Sequence, residues 1–222
     1  MLILKQQQFN DEELLQWAEG LSIKHGSRTD KILHWDFGPI MNMKFDPNSP
    51  NYLFSQERVP FHWDGAFYRI PKKLLFFCME SNGEGGETFF VDTTRVWNSL
   101  TENEKNECRK VKLRYQTENL SHYGGVFETD LVRTHPDTGE VILRLAERVE
   151  TKLNPVHLTI SGVSDPNGFY EWMVSKFYDS DFLYEHHWEK GDLLVIDNYR
   201  YLHGRKELLG NKNRTFKRIQ IL

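Results

Sequence analysis

A histidine and an aspartate stand two residues apart at His62 and Asp64, and another histidine, His203, follows far downstream in Leu202-His203-Gly204-Arg205. In an extended strand, side chains at i and i+2 leave on the same side. His62 and Asp64 therefore predict an imidazole and a carboxylate on one face, with Trp63 directed to the other. A distant strand carrying His203 completes three ligands. Two neutral imidazoles and one carboxylate, with the remaining coordination positions open, form the ligand set of non-haem Fe(II) oxygenases. The same spelling recurs at His34-Trp35-Asp36 without comparable surroundings, and is assigned to packing and turn formation.

Elements that position such a site are visible along the chain. Leu74 to Met79 is a fully apolar run of strand length, and a glycine-rich turn, Asn82-Gly83-Glu84-Gly85-Gly86, leads from it into Thr88-Phe89-Phe90-Val91-Asp92. Leu193 to Asn198 predicts a buried strand that delivers His203 one loop later. Arg214 to Leu222 alternates and predicts a closing strand after the turn Gly210-Asn211-Lys212-Asn213. Val111 to Gln116 and Val141 to Leu143 add strands around the turn Thr134-His135-Pro136-Asp137-Thr138-Gly139. Helices are fewer: Asp11 to Gly20 behind the cap Asn10, Thr93 to Lys110 with a capping pair at Thr101 and Glu104, and about Pro166 to Tyr178 behind Asp165. Many short strands with non-local partners and a few flanking helices predict a mainly β fold, a jelly-roll barrel that brings distant strands together at its mouth.

Composition narrows the class. With 222 residues, 39% of them hydrophobic and no break in composition, the chain predicts one domain over 1–222. A formal net charge of -4 supplies no basic field for nucleic acid. Cys78 and Cys108 fit no paired or zinc-binding spacing and read as buried small hydrophobes. No apolar run approaches the roughly 20 residues that span a bilayer, so the expectation is a cytoplasmic protein with a small-molecule substrate and no membrane or nucleic-acid partner. The oligomeric state is left open.

Together, His62-x-Asp64, Gly85-Gly86-Glu87-Thr88, Thr134-His135-Pro136-x-Thr138-Gly139, Asp197-Asn198-Tyr199-Arg200-x-Leu202-His203-Gly204-Arg205, Arg214 and Arg218 resemble the TauD/TfdA (taurine-dioxygenase-like) family of Fe(II)- and 2-oxoglutarate-dependent oxygenases. The resemblance runs from about residue 50 onward. It implies the double-stranded β-helix form of the jelly roll, His62, Asp64 and His203 as iron ligands and catalytic centre, and 2-oxoglutarate and O2 as co-substrates. It implies further that Thr88 contacts the co-substrate carboxylate near the metal. Arg214, eleven residues after His203, falls where the family pairs an arginine with the far carboxylate, and Arg218 where it often has another active-site arginine. A planar, permanently charged guanidinium suits that task. Family halogenases carry a small residue where this chain has Asp64, so the aspartate implies hydroxylation, desaturation or oxidative decarboxylation. The wording from His62 to Phe67, with Leu75 to Cys78, is closer to the branch in isonitrile and other secondary-metabolite pathways than to sulfonate-degrading members, which implies an amino-acid-derived substrate. Before residue 50 the chain looks reduced relative to the family, which leaves the covering of the pocket open.

Phe67 and Tyr68, just past the first ligands, His122 and Tyr123 in a glycine-bearing loop, and Arg205 are candidate substrate-binding residues. His25, His34, His157, His186 and His187 are given surface or packing roles, and His135 its turn. Two other functions fit the three ligands: a non-catalytic jelly-roll metal-binding module, and a zinc hydrolase. The module gives no reason for a carboxylate clamp at Thr88, Arg214 and Arg218, and the hydrolase lacks an evident general base near His62 or His203.

Overall fold

The computed structural model describes residues 1–222 except 25–26, 29–30, 50, 83, 119–124, 152, 154 and 211–212. The apolar run becomes the strand Lys73–Glu80, at the centre of a five-stranded sheet in the order Leu2–Leu4, Leu193–Asp197, Lys73–Glu80, Thr215–Ile221, Met41–Lys44. Its lack of alternation has a plain cause: both faces are covered. Leu74, Phe76 and Cys78 point into the barrel with Phe90, Trp188, Leu194, Ile196 and Phe216. Leu75 and Phe77 face outward, where Leu14 and Ala18 of the helix Asp11–Gly20 pack on them.

The opposing sheet has the order Leu183–His186, Thr88–Asp92, Tyr201–Arg205, Val59–His62. Phe90 faces inward, while Phe61, Phe89, Val91 and Leu202 face outward onto Met173 and Phe177 of the helix Pro166–Phe177. Strand pairings in both sheets are antiparallel. The architecture is the jelly roll expected from the sequence. A three-stranded sheet, His157–Ser161, Lys112–Thr117, Gly125–Asp130, stands outside it and shares the outer core through Leu113 and Tyr115.

The glycine turn after Glu80 joins the buried strands Lys73–Glu80 and Thr88–Asp92 as expected, and carries the chain from one sheet to the other. Gly85 and Gly86 have positive φ, and a Cβ at Gly85 would meet the Glu207 carbonyl oxygen at 2.3 Å. Two other local expectations are amended. The stretch Thr93 to Lys110 is two helices, Thr93–Ser99 and Glu102–Cys108. Thr101 is the cap of the latter, its hydroxyl accepting from Glu104 N–H while the Glu104 carboxylate accepts from Thr101 N–H, so the capping pair starts a helix within the predicted one. Finally, the strand ends at His62, and Asp64 lies in the turn beyond it.

Cys78 and Cys108 are buried and free, and burial pushes both thiols up to about 12. No helix among the described residues is long and apolar enough to cross a membrane.

Gly204 interrupts the pairing of Tyr201–Arg205 with Val59–His62, where the register shifts between His203 and Arg205. A Cβ there would stand 2.3 Å from the Phe89 ring and 2.6 Å from the Val59 carbonyl oxygen. Gly204→Ala is therefore expected to lose about 1–3 kcal/mol of stability by overpacking. Gly20→Ala, at an open helix end, is expected to be neutral or to gain up to about 1 kcal/mol. Urea unfolding of both variants checks the contrast.

Candidate active site

His62 and His203 face each other across paired strands as register partners, with ring centroids 4.3 Å apart. Alternation sends both inward, because Phe61 and Leu202 beside them belong to the outer core. Asp64 reaches the same point from its turn. Its Oδ1 lies 3.6 Å from His62 Nε2 and 3.7 Å from His203 Nε2. The three ligand atoms lie within 4.8 Å of one another, the only such cluster of metal-binding side chains among the described residues. The Pro60 carbonyl stands 2.9 Å from His62 Nδ1. Protonation of Nδ1 satisfies that contact and leaves Nε2 a lone pair for a metal.

Burial lowers the pKa of both imidazoles. In His62 the nearby Asp64 opposes the shift, and in His203 the neighbouring His62 deepens it. Burial alone would raise the Asp64 carboxyl, but Arg218, the two imidazoles and the Gln220 amide outweigh it and hold the carboxyl below its ordinary value. The site thus offers two neutral nitrogens and one anionic oxygen, which fits Fe(II).

Asp64 is fixed on every side except toward that point. Its Oδ2 pairs with Arg218 Nη1 at 3.1 Å and accepts from Gln220 Nε2 at 2.6 Å, leaving Oδ1 to face the imidazoles. Asn198, fully buried, accepts from Asp64 N–H at 2.9 Å and donates through Nδ2 to the carbonyls of Asp64 and Pro71. Asn198 is held in turn: Arg144 donates to its carbonyl at 3.0 Å. The neighbouring Asp197 meets His135 Nε2 at 2.8 Å, while His135 Nδ1 accepts from the backbone N–H groups of Asp137 and Thr138.

Two cavities meet at His62 and Arg218. The smaller is lined by Thr88, Arg205, Arg214 and Phe216 beside His62 and His203. The Thr88 hydroxyl accepts from Trp188 Nε1 at 2.8 Å and from Arg214 Nη2 at 3.2 Å. A hydroxyl has two acceptor sites and one proton, so both acceptor sites are taken and the proton remains for a ligand. Arg214 lies over Phe216 with an unpartnered, buried Nε among the described residues, and burial lowers its pKa to about 9. A donor hydroxyl beside a guanidinium that makes no ion pair among the described residues fits a carboxylate of 2-oxoglutarate.

The larger cavity, about 630 Å³, opens on the other side of His62 and Asp64. Trp35, Phe37, Phe67, Tyr68 and Tyr115 give it aromatic walls, with Trp35 and Phe37 stacked at 6.1 Å and Trp35 6.0 Å from Tyr68.

Of the candidate site residues, His62, Asp64 and His203 converge, Thr88 and Arg214 line the smaller cavity, and Phe67 and Tyr68 line the larger one. Arg218 lies between the cavities but is tied to Asp64. Arg205 lies on the Arg214 side, not in the larger cavity, and its Nη2 donates to the carbonyls of Ser55 and Glu57. His122 and Tyr123, like His25, fall outside the described residues. The turn assigned to His34-Trp35-Asp36 is present, closed by paired backbone bonds between Trp35 and Gly38, yet Trp35 also walls the larger cavity. Ile40, Met41 and Asn42 join it there, so the segment before residue 50 does cover the pocket. Sequence reasoning missed Asn198 and Gln220 as supports of Asp64, and Glu147 as a cavity residue. Alternation in Thr215–Ile221 carried the signal for Gln220, since it shares a face with Arg218.

The family model for taurine catabolism dioxygenase TauD, TfdA family, matches residues 1–220. Over 239 aligned residues the chain is 33% identical to 3-((Z)-2-isocyanoethenyl)-1H-indole synthase of Fischerella ambigua, covering 97% of this chain and 88% of that protein. It is 28% identical to tyrosine isonitrile desaturase of Pseudomonas aeruginosa, covering 86% and 68%. The crystal structure of the PvcB protein from Pseudomonas aeruginosa superposes with a TM-score of 0.76 at 23% identity, over 100% of this chain and 74% of that one.

Asn198→Ala strips partners from one buried N–H and two carbonyls. It is expected to cost about 2–4 kcal/mol of stability, at about 1–3 kcal/mol for each group left unpaired and not re-satisfied. Fe(II) affinity is expected to fall about 10–100-fold, as for other residues that orient metal ligands. Urea unfolding and anaerobic Fe(II) titration check the two effects.

Proposed function

The chain belongs to the TauD/TfdA family of Fe(II)- and 2-oxoglutarate-dependent oxygenases, and from that premise we propose that it oxidises an isonitrile derived from an aromatic amino acid, in the cytoplasm. Relatives named as an isocyanoethenyl-indole synthase and a tyrosine isonitrile desaturase support the substrate class. The observation that carries the reading is the partition at His62: one cavity holds carboxylate donors, the other aromatic walls, and the three ligand atoms stand between them.

His62, Asp64 and His203 would hold Fe(II), and Thr88 and Arg214 would hold 2-oxoglutarate. When bound, the metal and co-substrate with O2 supply a strong oxidant, releasing succinate and CO2. The protein's own groups do the rest. Arg218 and Gln220 keep Asp64 anionic and turned to one oxygen, and the aromatic walls would pack against the substrate's ring and orient it. Arg69, which lines the larger cavity without an ion partner among the described residues, is the cation that would take the substrate carboxylate.

Two outcomes fit relatives of these names. Loss of hydrogens from Cα and Cβ gives an unsaturated acid. Loss of a Cβ hydrogen together with the carboxylate gives the isocyanoalkene and CO2. Either removes two electrons from the substrate, while 2-oxoglutarate supplies the two more that reduce O2, one oxygen going to succinate and the other to water.

Anaerobic addition of Fe(II) and 2-oxoglutarate is expected to produce the visible charge-transfer band of the chelate, and Arg214→Ala to require about tenfold or more 2-oxoglutarate for the same band, as loss of a charged hydrogen-bonding partner implies. Iron binding with no band at any 2-oxoglutarate concentration would replace the oxygenase by a metal-binding module. With the band in place, an α-isocyano acid of tryptophan or tyrosine is expected to be consumed in step with succinate release.

A further inference from the structure

Glu147 has no part in holding metal or co-substrate, yet it lines the larger cavity beside the ligand strand. Its backbone N–H donates to the Phe61 carbonyl at 2.8 Å, which places it next to His62. One oxygen, Oε1, takes every donor in reach: Phe61 N–H at 2.8 Å, Tyr178 O–H at 2.6 Å and Arg58 Nη2 at 2.9 Å. The other, Oε2, has no donor among the described residues, although the side chain is only 11% exposed. A carboxylate oxygen with no protein donor, on a residue that lines the cavity, is free to accept from a donor that a ligand brings.

We propose that Glu147 Oε2 is the specificity determinant of the larger cavity, accepting a hydrogen bond from a neutral N–H or O–H carried on the substrate's aromatic ring. This deepens the isonitrile reading and rests on it. The charge state of the donor follows from Arg58, which already compensates the carboxylate at 2.9 Å, so an additional cation is not required. The position of the donor follows from the substrate's chemistry. An α-isocyano acid has lost its amine protons and its carboxylate is ionised, so the ring alone has a proton to donate. The aromatic walls, Trp35, Phe67, Tyr68 and Tyr115, suit the flat body of that ring.

Glu147→Gln is a sharp test because of the crowding on Oε1. Three donors compel the amide to keep its oxygen where Oε1 now stands, which puts its NH2 in the place of Oε2, a donor where the proposal needs an acceptor. The substrate pair is the α-isocyano acid bearing an indol-3-yl ring and its benzofuran-3-yl isostere, in which oxygen replaces the N–H. Turnover and anaerobic calorimetric binding to the Fe(II)- and 2-oxoglutarate-loaded protein are measured for both.

Wild type is expected to favour the indole by about tenfold or more in kcat/KM and in Kd, the worth of one hydrogen bond to a charged group, and Glu147→Gln to erase that preference chiefly through KM. Equal treatment of the two rings by wild type overturns the proposal. So does an equal loss for both rings in the variant, which would make Glu147 a brace for the ligand strand and nothing more. If wild type forms the charge-transfer band but neither binds nor consumes either acid, the isonitrile reading fails and the proposal with it, an outcome separate from the other two.

Discussion

A carboxylate excluded from water between two neutral imidazoles is held ionised only if something else compensates it, and the fold around Asp64 is arranged to do so. Desolvating one carboxylate costs several kcal/mol even after relaxation. Arg218 and Gln220 supply a charge and a donor to one oxygen, and Asn198 secures the peptide on both sides. The arrangement leaves a single oxygen with its charge uncommitted, aimed where the two Nε2 atoms converge. The partners come from opposite sheets and from a turn, so the electrostatics of one side chain and the closure of the barrel are a single requirement.

That requirement explains which parts of the chain could be read in advance. The barrel was legible because alternation and its absence report which faces are covered: Lys73–Glu80 is apolar throughout, buried on both sides, and lies at the centre of its sheet. The helix Asp11–Gly20 was legible because its ends are local chemistry, Asn10 and Glu13 capping each other. His62 and His203 were legible as residue types. The turn that places Asp64 was not, since it depends on Asn198, 134 residues away, bonding to backbone that any sequence would provide. Trp35 escaped for a related reason, its role being set by Tyr68 and by a cavity that no local pattern encodes.

The two cavities share a wall only at a few side chains, among them His62 and Arg218. On the proposed reading, a co-substrate and a substrate would approach the metal point from separate directions without competing for the same donors. Arg218 belongs to both walls and is committed to Asp64, so whatever enters either side meets a guanidinium already balanced. Arg214 has no carboxylate ion partner among the described residues, and burial, with Arg205 nearby, lowers its pKa to about 9.

The order of the strands also bears on how the protein is made. Lys73–Glu80 takes as its neighbours Leu193–Asp197 and Thr215–Ile221, both of which leave the ribosome more than 100 residues later. At about 5–20 residues per second, that apolar strand spends several seconds of synthesis without either partner. During this interval it is a natural substrate for chaperones of the nascent chain. Asp64 waits longer still for Gln220, 156 residues downstream. Iron captured by the growing chain before then would meet a carboxylate free to turn, so metal loading at the finished geometry is an event that follows translation of Thr215–Ile221.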